Sequence, residues 1–342
     1  MKKQTYDSEI YNESKKIILN ENYQKGMGKN TSNIDNYMIH YFDFGRKRNK
    51  NKIYIQSQLH GNETFSTLVI LELKKLLEKT PNRYFNSFIR LVPRINPYSW
   101  HEYLYNGNGR LNPANGKDWN RSFEWGQSIS DNSFDRNTTL SNLTFSLIKD
   151  FNFIWDIHTP ENGIEHLYCN HFSTDKSYFG IENIIEYGEP TIYSLDEACT
   201  RLQKQLNINE AITIELPSHI HAQAKNVLFW ADRLYRELIS RGFVHLKIDN
   251  HVPITRKFRV GQWVDYYADK SGIIQYNFEL GELIQTGAEL FNIIPFDYIN
   301  DFYPTKNTFE GYPICIRSKS MVDKGNWVVR VLKVDRYEYS TT

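Results

Sequence analysis

His60-Gly61-Asn62-Glu63 places an imidazole and a carboxylate three residues apart, where a predicted strand, Lys52–Ser57, hands over to a predicted helix, Thr64–Lys79. Two side chains leaving one turn can meet at one point, and that spacing suits two ligands of a single ion. Zinc takes nitrogen and oxygen ligands in a tetrahedron, and its catalytic sites usually keep three protein ligands and a water. A third ligand is then required. His158 ends another predicted strand, Phe151–Ile157. Ligand sites of open α/β sheets lie outside the carboxyl ends of the strands, so both histidines are delivered to the same edge. Asp156 stands two residues before His158, on one side of an extended strand, where it can accept the second imidazole N–H and fix the ring.

A His-x-x-Glu alone is a cheap pattern. The chain holds a second copy, His158-Thr159-Pro160-Glu161, and it is the strand-end position that separates His60 and His158 from the other histidines. His219 and His221 are the rival metal pair, but they lead into a predicted helix, where a spacing of two faces them apart. His166 and His171 follow the second strand closely and could line a pocket, a structural or surface role being the plainer reading. Cys169, Cys199 and Cys315 are three in number and widely spaced, which argues against a disulfide framework or a thiolate metal cluster. Any metal must therefore be held by histidine and carboxylate.

The elements that position these residues alternate. Strands are expected at Tyr37–Phe44, Lys52–Ser57, Ser87–Val92, Phe151–Ile157 and Ala211–Leu216. Helices are expected at Thr64–Lys79, with Leu68, Leu71, Leu73, Leu76 and Leu77 as its apolar face, and at Thr138–Lys149, Leu195–Leu206 and Val227–Arg241. Near-continuous apolar strands between helices point to an α/β fold, a mixed, mainly parallel sheet with helices on both faces. Past Asp249 the helical period stops and short strand-like pieces alternate with glycines, the mark of an all-β unit. The expected organisation is a catalytic domain over residues 1–248 and a small barrel-sandwich-like β domain over residues 249–342 that covers or shapes the active-site entrance. Its Ser271–Gly287 stretch is similar to biotinyl and lipoyl carriers, but no lysine lies between Ser271 and Tyr303 to be modified.

Charge excludes other functions. The 41 Lys and Arg nearly cancel the 40 Asp and Glu, so no global field draws nucleic acid or an anionic membrane. No apolar run approaches a membrane span, and the expected location is cytoplasmic. The expected partner is a small molecule; the oligomeric state is left open, a homo-oligomer included.

Taken in order, His60-Gly61-Asn62-Glu63, Asp118-Trp119-Asn120-Arg121-Ser122-Phe123, Asp156-Ile157-His158-Thr159 and Thr213-Ile214-Glu215 resemble the motifs of one family. It is the succinylglutamate desuccinylase and aspartoacylase family, a branch of the carboxypeptidase A type zinc hydrolases. The resemblance spans about Lys52 to Leu216. It implies one zinc per chain on His60, Glu63 and His158, with Glu215 as general base and Arg110 polarising the scissile carbonyl. It also implies Asn120 and Arg121 as holders of a substrate carboxylate and Asp118 as the acceptor behind His60. The chemistry is coherent on its own terms, since zinc acidifies water and the protein need supply only a base and a stabiliser of the developing oxyanion. Glu215 lies in Ala211–Pro217, a setting too apolar for a casual surface acid. Trp119 stands where the family usually has Leu, and Pro217 where glycine is common, and both departures bear on the substrate side. The expected reaction is hydrolysis of the amide bond of a small N-acyl amino acid or related compound. A zinc carboxypeptidase and a non-catalytic metal-binding relative are the alternatives.

Overall fold

The computed structural model describes residues 15–18, 38–124, 136–170, 178–190, 193–218, 222–246, 255–296 and 303–341. His171, His219 and His221, named above as pocket or metal candidates, lie outside the described residues.

The amino-terminal half runs β1 (Lys15–Ile18), β2 (Met38–Gly45), β3 (Asn51–Ser57), α1 (Thr64–Lys79), β4 (Ser87–Val92), α2 (Pro97–Asn106) and α3 (Arg136–Ile148). Next come β5 (Phe153–His158), β6 (Asn162–Gly163), β7 (His166–Asn170), β8 (Asn183–Tyr187), α4 (Leu195–Arg201), α5 (Gln203–Leu206), β9 (Glu210–Glu215) and α6 (Ala224–Ser240). The rest is strand: β10 (Thr255–Tyr267), β11 (Gly272–Tyr276), β12 (Glu289–Ile294), β13 (Tyr303–Lys306), β14 (Gly311–Ile316), β15 (Met321–Val322) and β16 (Trp327–Thr341). Among the described residues no helix is long and apolar enough to cross a membrane.

Twelve strands form one sheet in the order β1-β2-β4-β3-β5-β9-β7-β8-β10-β16-β14-β6, and β13-β12-β11-β15 form a second. The large sheet is mixed rather than mainly parallel. Pairing is parallel through β4, β3, β5 and β9 and again through β7, β8 and β10. It is antiparallel between β9 and β7 and toward both ends. The antiparallel partners are strands distant along the chain, β2 with β4, β7 with β9 and those after residue 249, which sequence periodicity does not pair with the central strands. That late segment joins the large sheet where Val260 of β10 lies beside Ile184 of β8.

Alternation along the central strands sorts side chains onto two faces. Ile53 and Ile55 of β3, Trp155 and Ile157 of β5 and Ile212 and Ile214 of β9 pack in one core with α1 and α6. Tyr54, Ile154 and Ala211 point the other way, into a second core with α3 and α4. Helices therefore cover both faces, as the apolar strands imply.

On α1 the buried stripe is Phe65, Val69, Ile70, Leu73 and Leu77, whereas Leu68 and Leu71 are 42% and 38% exposed. Leu73, Leu76 and Leu77 of the expected face meet the core, while Leu68 and Leu71 do not, because the β-branched Val69 and Ile70 occupy the core side. The helix expected over Leu195–Leu206 breaks at Leu202 into α4 and α5. Helix α2 was not expected, although its ends are written in the sequence. Asn96 caps it by accepting from Ser99 N, Pro97 opens it, and Gly107 closes it in the left-handed region at φ 68°. Leu73→Ala should cost about 2–5 kcal/mol of unfolding free energy. Leu71→Ala should cost less than about 1 kcal/mol. Denaturant titrations of both variants check the assignment of faces, and equal losses would contradict it.

Candidate functional site

The turn after β3 is held by several independent constraints. Gln58 has a left-handed backbone, φ 54°, an uncommon state for a residue with a side chain. Its amide is used on both ends: Nε2 donates to Gly61 O at 2.9 Å, and Oε1 accepts from Thr67 Oγ1 at 2.7 Å and Arg94 Nε at 3.0 Å. Gly61 presses against α2, where a Cβ would come within 2.1 Å of Ser99 O. Its N–H donates to Gly109 O and faces Ser99 Oγ. Only glycine fits that approach. The result is that His60 and Glu63 leave the turn together, buried, at the mouth of α1.

His60 Nδ1 lies 2.7 Å from Glu63 Oε1, and His158 Nδ1 lies 3.0 Å from Glu63 Oε2. Each ring's far nitrogen is taken by an aspartate: His60 Nε2 by Asp118 Oδ1 at 2.9 Å, His158 Nε2 by Asp156 Oδ2 at 2.9 Å. With both Nε2–H groups donating outward, both Nδ1 atoms turn toward one carboxylate. The ligand atoms of His60, Glu63 and His158 lie within 4.8 Å of one another, so this buried group could hold a metal ion. The fit is chemical as well as geometric, since two imidazoles oriented by carboxylates are what metal-binding histidines need.

The aspartates are themselves held. Asp156 accepts from Gln56 Nε2 at 2.9 Å, and Gln56 from Tyr54 OH at 3.0 Å. Asp118 accepts from Asn120 N at 2.8 Å and faces Arg110 Nη2 at 3.0 Å. Burial alone would raise the Glu63 carboxyl, but the imidazoles of His158 and His60 hold it well below the ordinary carboxylate range. The same contacts work in reverse on the rings. Against burial, Asp156 and Glu63 raise His158 well above its ordinary value, and Glu63 and Asp118 raise His60.

Glu215 ends β9 on the rung that carries His158 on one side and His166 on the other. Its Oε2 is buried and, among the described residues, has no hydrogen-bond partner. Burial pushes its carboxyl up to about 7, and a cation bound nearby would draw it down again. His166 is pushed down to about 4 by burial and is therefore a neutral ring, its Nδ1–H donating to Ile164 O at 2.9 Å.

Glu63, Arg110, Arg121, His166 and Glu215 line a cleft of about 480 Å³. Behind it a smaller cavity of about 90 Å³ touches His60, Asn120, His158 and Glu215. The structure thus brings every site residue expected from the sequence to one place. Asn120 Oδ1 accepts from Leu195 N at 3.0 Å, which leaves its amide nitrogen to meet a ligand. Arg121 has no carboxylate partner among the described residues; its Nη1 donates to Asn120 O at 2.6 Å. Glu161, the acid of the second His-x-x-Glu, bonds to the Ser318 hydroxyl and stays away from the imidazoles.

Sequence reasoning, which expected residues 249–342 at the entrance, missed Gln58 and the particular residues Arg330, Asp265 and Tyr168. Arg330 of β16 grips Asp265 of β10 with Nε at 2.7 Å and Nη2 at 2.6 Å, and its Nη1 reaches Tyr168 OH at 2.5 Å. Asp265, Tyr168 and Arg330 all border the cleft. An arginine inside Val328-Val329-Arg330-Val331-Leu332 is the signal that could have found this group, since apolar strands rarely carry an unneeded charge.

The succinylglutamate desuccinylase/aspartoacylase catalytic-domain model matches residues 49–227 of this chain. A crystal structure from Shewanella frigidimarina, titled as a succinylglutamate desuccinylase/aspartoacylase, superposes with a TM-score of 0.80 at 18% identity, covering 96% of this chain and 98% of the other. A family protein of Shewanella amazonensis gives 0.75 at 20% identity, with 89% and 96% covered. The product-bound ectoine utilization protein of Ruegeria pomeroyi gives 0.65 at 16% identity, with 87% and 88% covered. No curated protein matches the chain significantly.

His60→Ala and His158→Ala should each abolish stoichiometric metal binding in the purified protein. Asp156→Asn, which keeps an acceptor but removes the charge, should weaken metal affinity by roughly 10–100-fold. Elemental analysis and chelator competition provide the readout, and full metal content in both histidine variants would place the ion elsewhere.

Proposed function

The chain belongs to the succinylglutamate desuccinylase/aspartoacylase family, and we propose that it is a zinc-dependent hydrolase cleaving the amide bond of a small N-acyl amino acid or related N-acyl compound. The observation that carries this reading is the convergence of two oriented Nδ1 atoms and the Glu63 carboxylate beside Glu215, whose Oε2 is buried and unpartnered. Two nitrogens and a carboxylate are a donor set that catalytic zinc takes with a position left open.

When bound, zinc supplies water acidified to a pKa of about 7 and a Lewis acid for the carbonyl oxygen. Glu215 is the base: its unpartnered oxygen takes the proton of the attacking water and returns it to the departing amine nitrogen. Arg110 donates to the carbonyl oxygen as negative charge develops there, and its pairing with Asp118 holds it beside His60. Arg121 and the Asn120 amide nitrogen take a substrate carboxylate, the planar guanidinium offering two parallel hydrogen bonds. Residues 249–342 act as the unit that shapes the entrance. Asp265, Ile316 and Trp327 stand on the cleft wall, which supports a small substrate over a peptide chain.

Glu215→Gln should keep the zinc and the fold while lowering turnover by roughly 10²–10⁴-fold. Glu161→Gln, whose parent carboxylate faces Ser318, should keep zinc and most activity; a dead Glu161→Gln beside an active Glu215→Gln would overturn the choice of base. Arg121→Ala should chiefly raise KM, and Arg121→Lys should restore it only in part, because a point charge cannot reproduce the fork. Equal turnover of a substrate and its carboxamide analogue would remove Arg121 from this role.

A further inference from the structure

The small cavity behind the metal group contains chemistry that amide hydrolysis does not use. Beyond His60, His158 and Glu215 it is lined by Thr213, Asp196 and Glu197. At about 90 Å³ it has room for several water-sized groups, so it is a space for part of a ligand rather than a packing defect.

Thr213 points into it for a reason set by the strand. Ile212 and Ile214 face the core under α1 and α6, so Thr213 and Glu215 project from the opposite face of β9, with Thr213 one step deeper. The Thr213 side chain is buried, 5% exposed, and among the described residues its Oγ1 has no hydrogen-bond partner. A buried hydroxyl left unpaired is costly, and a ligand group at this point would satisfy it.

Asp196 sits in the first turn of α4, 4% exposed. Among the described residues it has no basic partner, whereas Asp118 and Asp156 are each committed to an imidazole and Glu197 has Arg201 at 3.7 Å. Burial raises its carboxyl and Asp156 adds to the shift, and the polar contacts of Ser194, Tyr187 and the Glu197 backbone, which lower it, do not offset this, so an opposite charge is what would hold it ionised. The cations around the cavity divide differently. Arg110 is paired with Asp118 and Arg330 with Asp265, whereas Arg121 has no carboxylate within ion-pair distance among the described residues. Among the described residues, a guanidinium without a carboxylate and a carboxyl without a cation therefore border the same small space.

Resting on the proposed hydrolase reading, we infer that this cavity receives the side chain of the amine half of the substrate and selects a short cationic one, with Asp196 as counter-ion and Thr213 Oγ1 as a further acceptor. An ammonium carries three donors and no acceptor, which suits a carboxylate and a lone hydroxyl. Arg121 holds the carboxylate of the same amino acid, so the enzyme releases an amino acid with a basic side chain. An acidic side chain would bring a further negative charge against Asp196 and Glu197, and a neutral one would leave Asp196 without a cation.

Three side chains of matched length and different charge test this on the zinc-loaded full chain: the N-acetyl and N-succinyl derivatives of L-ornithine, L-glutamine and L-glutamate. The ornithine compounds should have the highest kcat/KM, by roughly 10-fold or more over glutamine, with glutamate lowest. Asp196→Asn should erase the ornithine advantage, bringing the ratio of ornithine to glutamine kcat/KM to about 1, with the larger fall in the ornithine compounds. A merely structural Asp196, serving the start of α4, would lower all three together. Should Asp196→Asn fail to fold, Thr213→Val, which keeps the shape, should still narrow the ornithine preference several-fold. Glutamine or glutamate derivatives turned over as fast as those of ornithine by the unsubstituted protein would overturn the assignment. Calorimetric binding of the free amino acids separates the two proposals. If no derivative is hydrolysed but L-ornithine binds more tightly than L-glutamine and L-glutamate, the cavity stands and the hydrolase reading falls. If L-ornithine shows no such preference, the cavity assignment falls.

Discussion

The Glu63 carboxylate, buried between two imidazole Nδ1 atoms, is the contact on which the rest of the site depends. A carboxylate removed from water is costly unless it is paired, and here the pairing extends outward to Asp118 and Asp156. The charges balance in two ways. Three carboxylates face two imidazolium rings and the Arg110 guanidinium when the rings carry their second protons. A divalent cation in place of those two protons leaves the balance unchanged. The site can therefore exchange protons for an ion without stranding a charge, which couples metal uptake to proton release. The raised imidazoles and the lowered Glu63 express the proton-bearing half of that exchange.

That arrangement demands a turn built to tight tolerance, and the backbone supplies it. Gln58 accepts a left-handed conformation because both ends of its amide are engaged, and Gly61 lets the turn touch α2. Strain at a single residue costs of order 1–3 kcal/mol and persists only where the surroundings over-determine it. Gln58 meets that condition, with Thr67, Arg94 and Gly61 all bonded to one side chain. Helix α2, short and largely exposed, has its place explained by this contact.

Much of this was legible in the sequence, and the division follows range. Strand ends carrying His60 and His158, the Asp156 two residues before, and an acid in the apolar run Ala211–Leu216 are local patterns, and the structure brings them together. So is the helix Thr64–Lys79, whose bounds the periodicity places correctly. Its buried face was misread because leucine is weighted above valine and isoleucine, although the latter two face the core. The sheet was expected to be mainly parallel because βαβ alternation is visible along the chain. The antiparallel pairings of β7 with β9 and of β16 with β10 depend on residues far apart in sequence. For the same reason the Arg330–Asp265–Tyr168 group escaped notice, its members drawn from three strands that no local pattern unites.

Charges that are paired within the protein and charges that are not have different meanings in this cleft. Across one rung of the sheet, Gln56, Asp156, Thr213 and Tyr168 stand side by side. Gln56 and Asp156 bond to each other, and Tyr168 is held by Arg330, so three of the four are fixed by the fold. Thr213 alone has an oxygen with nothing to bond. A related contrast, an ion pair present or absent among the described residues, separates Arg330 from Arg121 and Asp118 from Asp196. Fully satisfied polar groups hold the site's geometry, because each has spent its hydrogen bonds on a neighbour whose position it fixes. Groups left unsatisfied in a buried setting keep a cost that only an incoming molecule can remove, and that cost becomes selectivity between molecules that can meet the group and those that cannot. Two of the unsatisfied groups, Thr213 and Glu215, stand on one strand where His60, Glu63 and His158 face the cavities, so the architecture ends and recognition begins within a single strand, between Ile212 and Glu215.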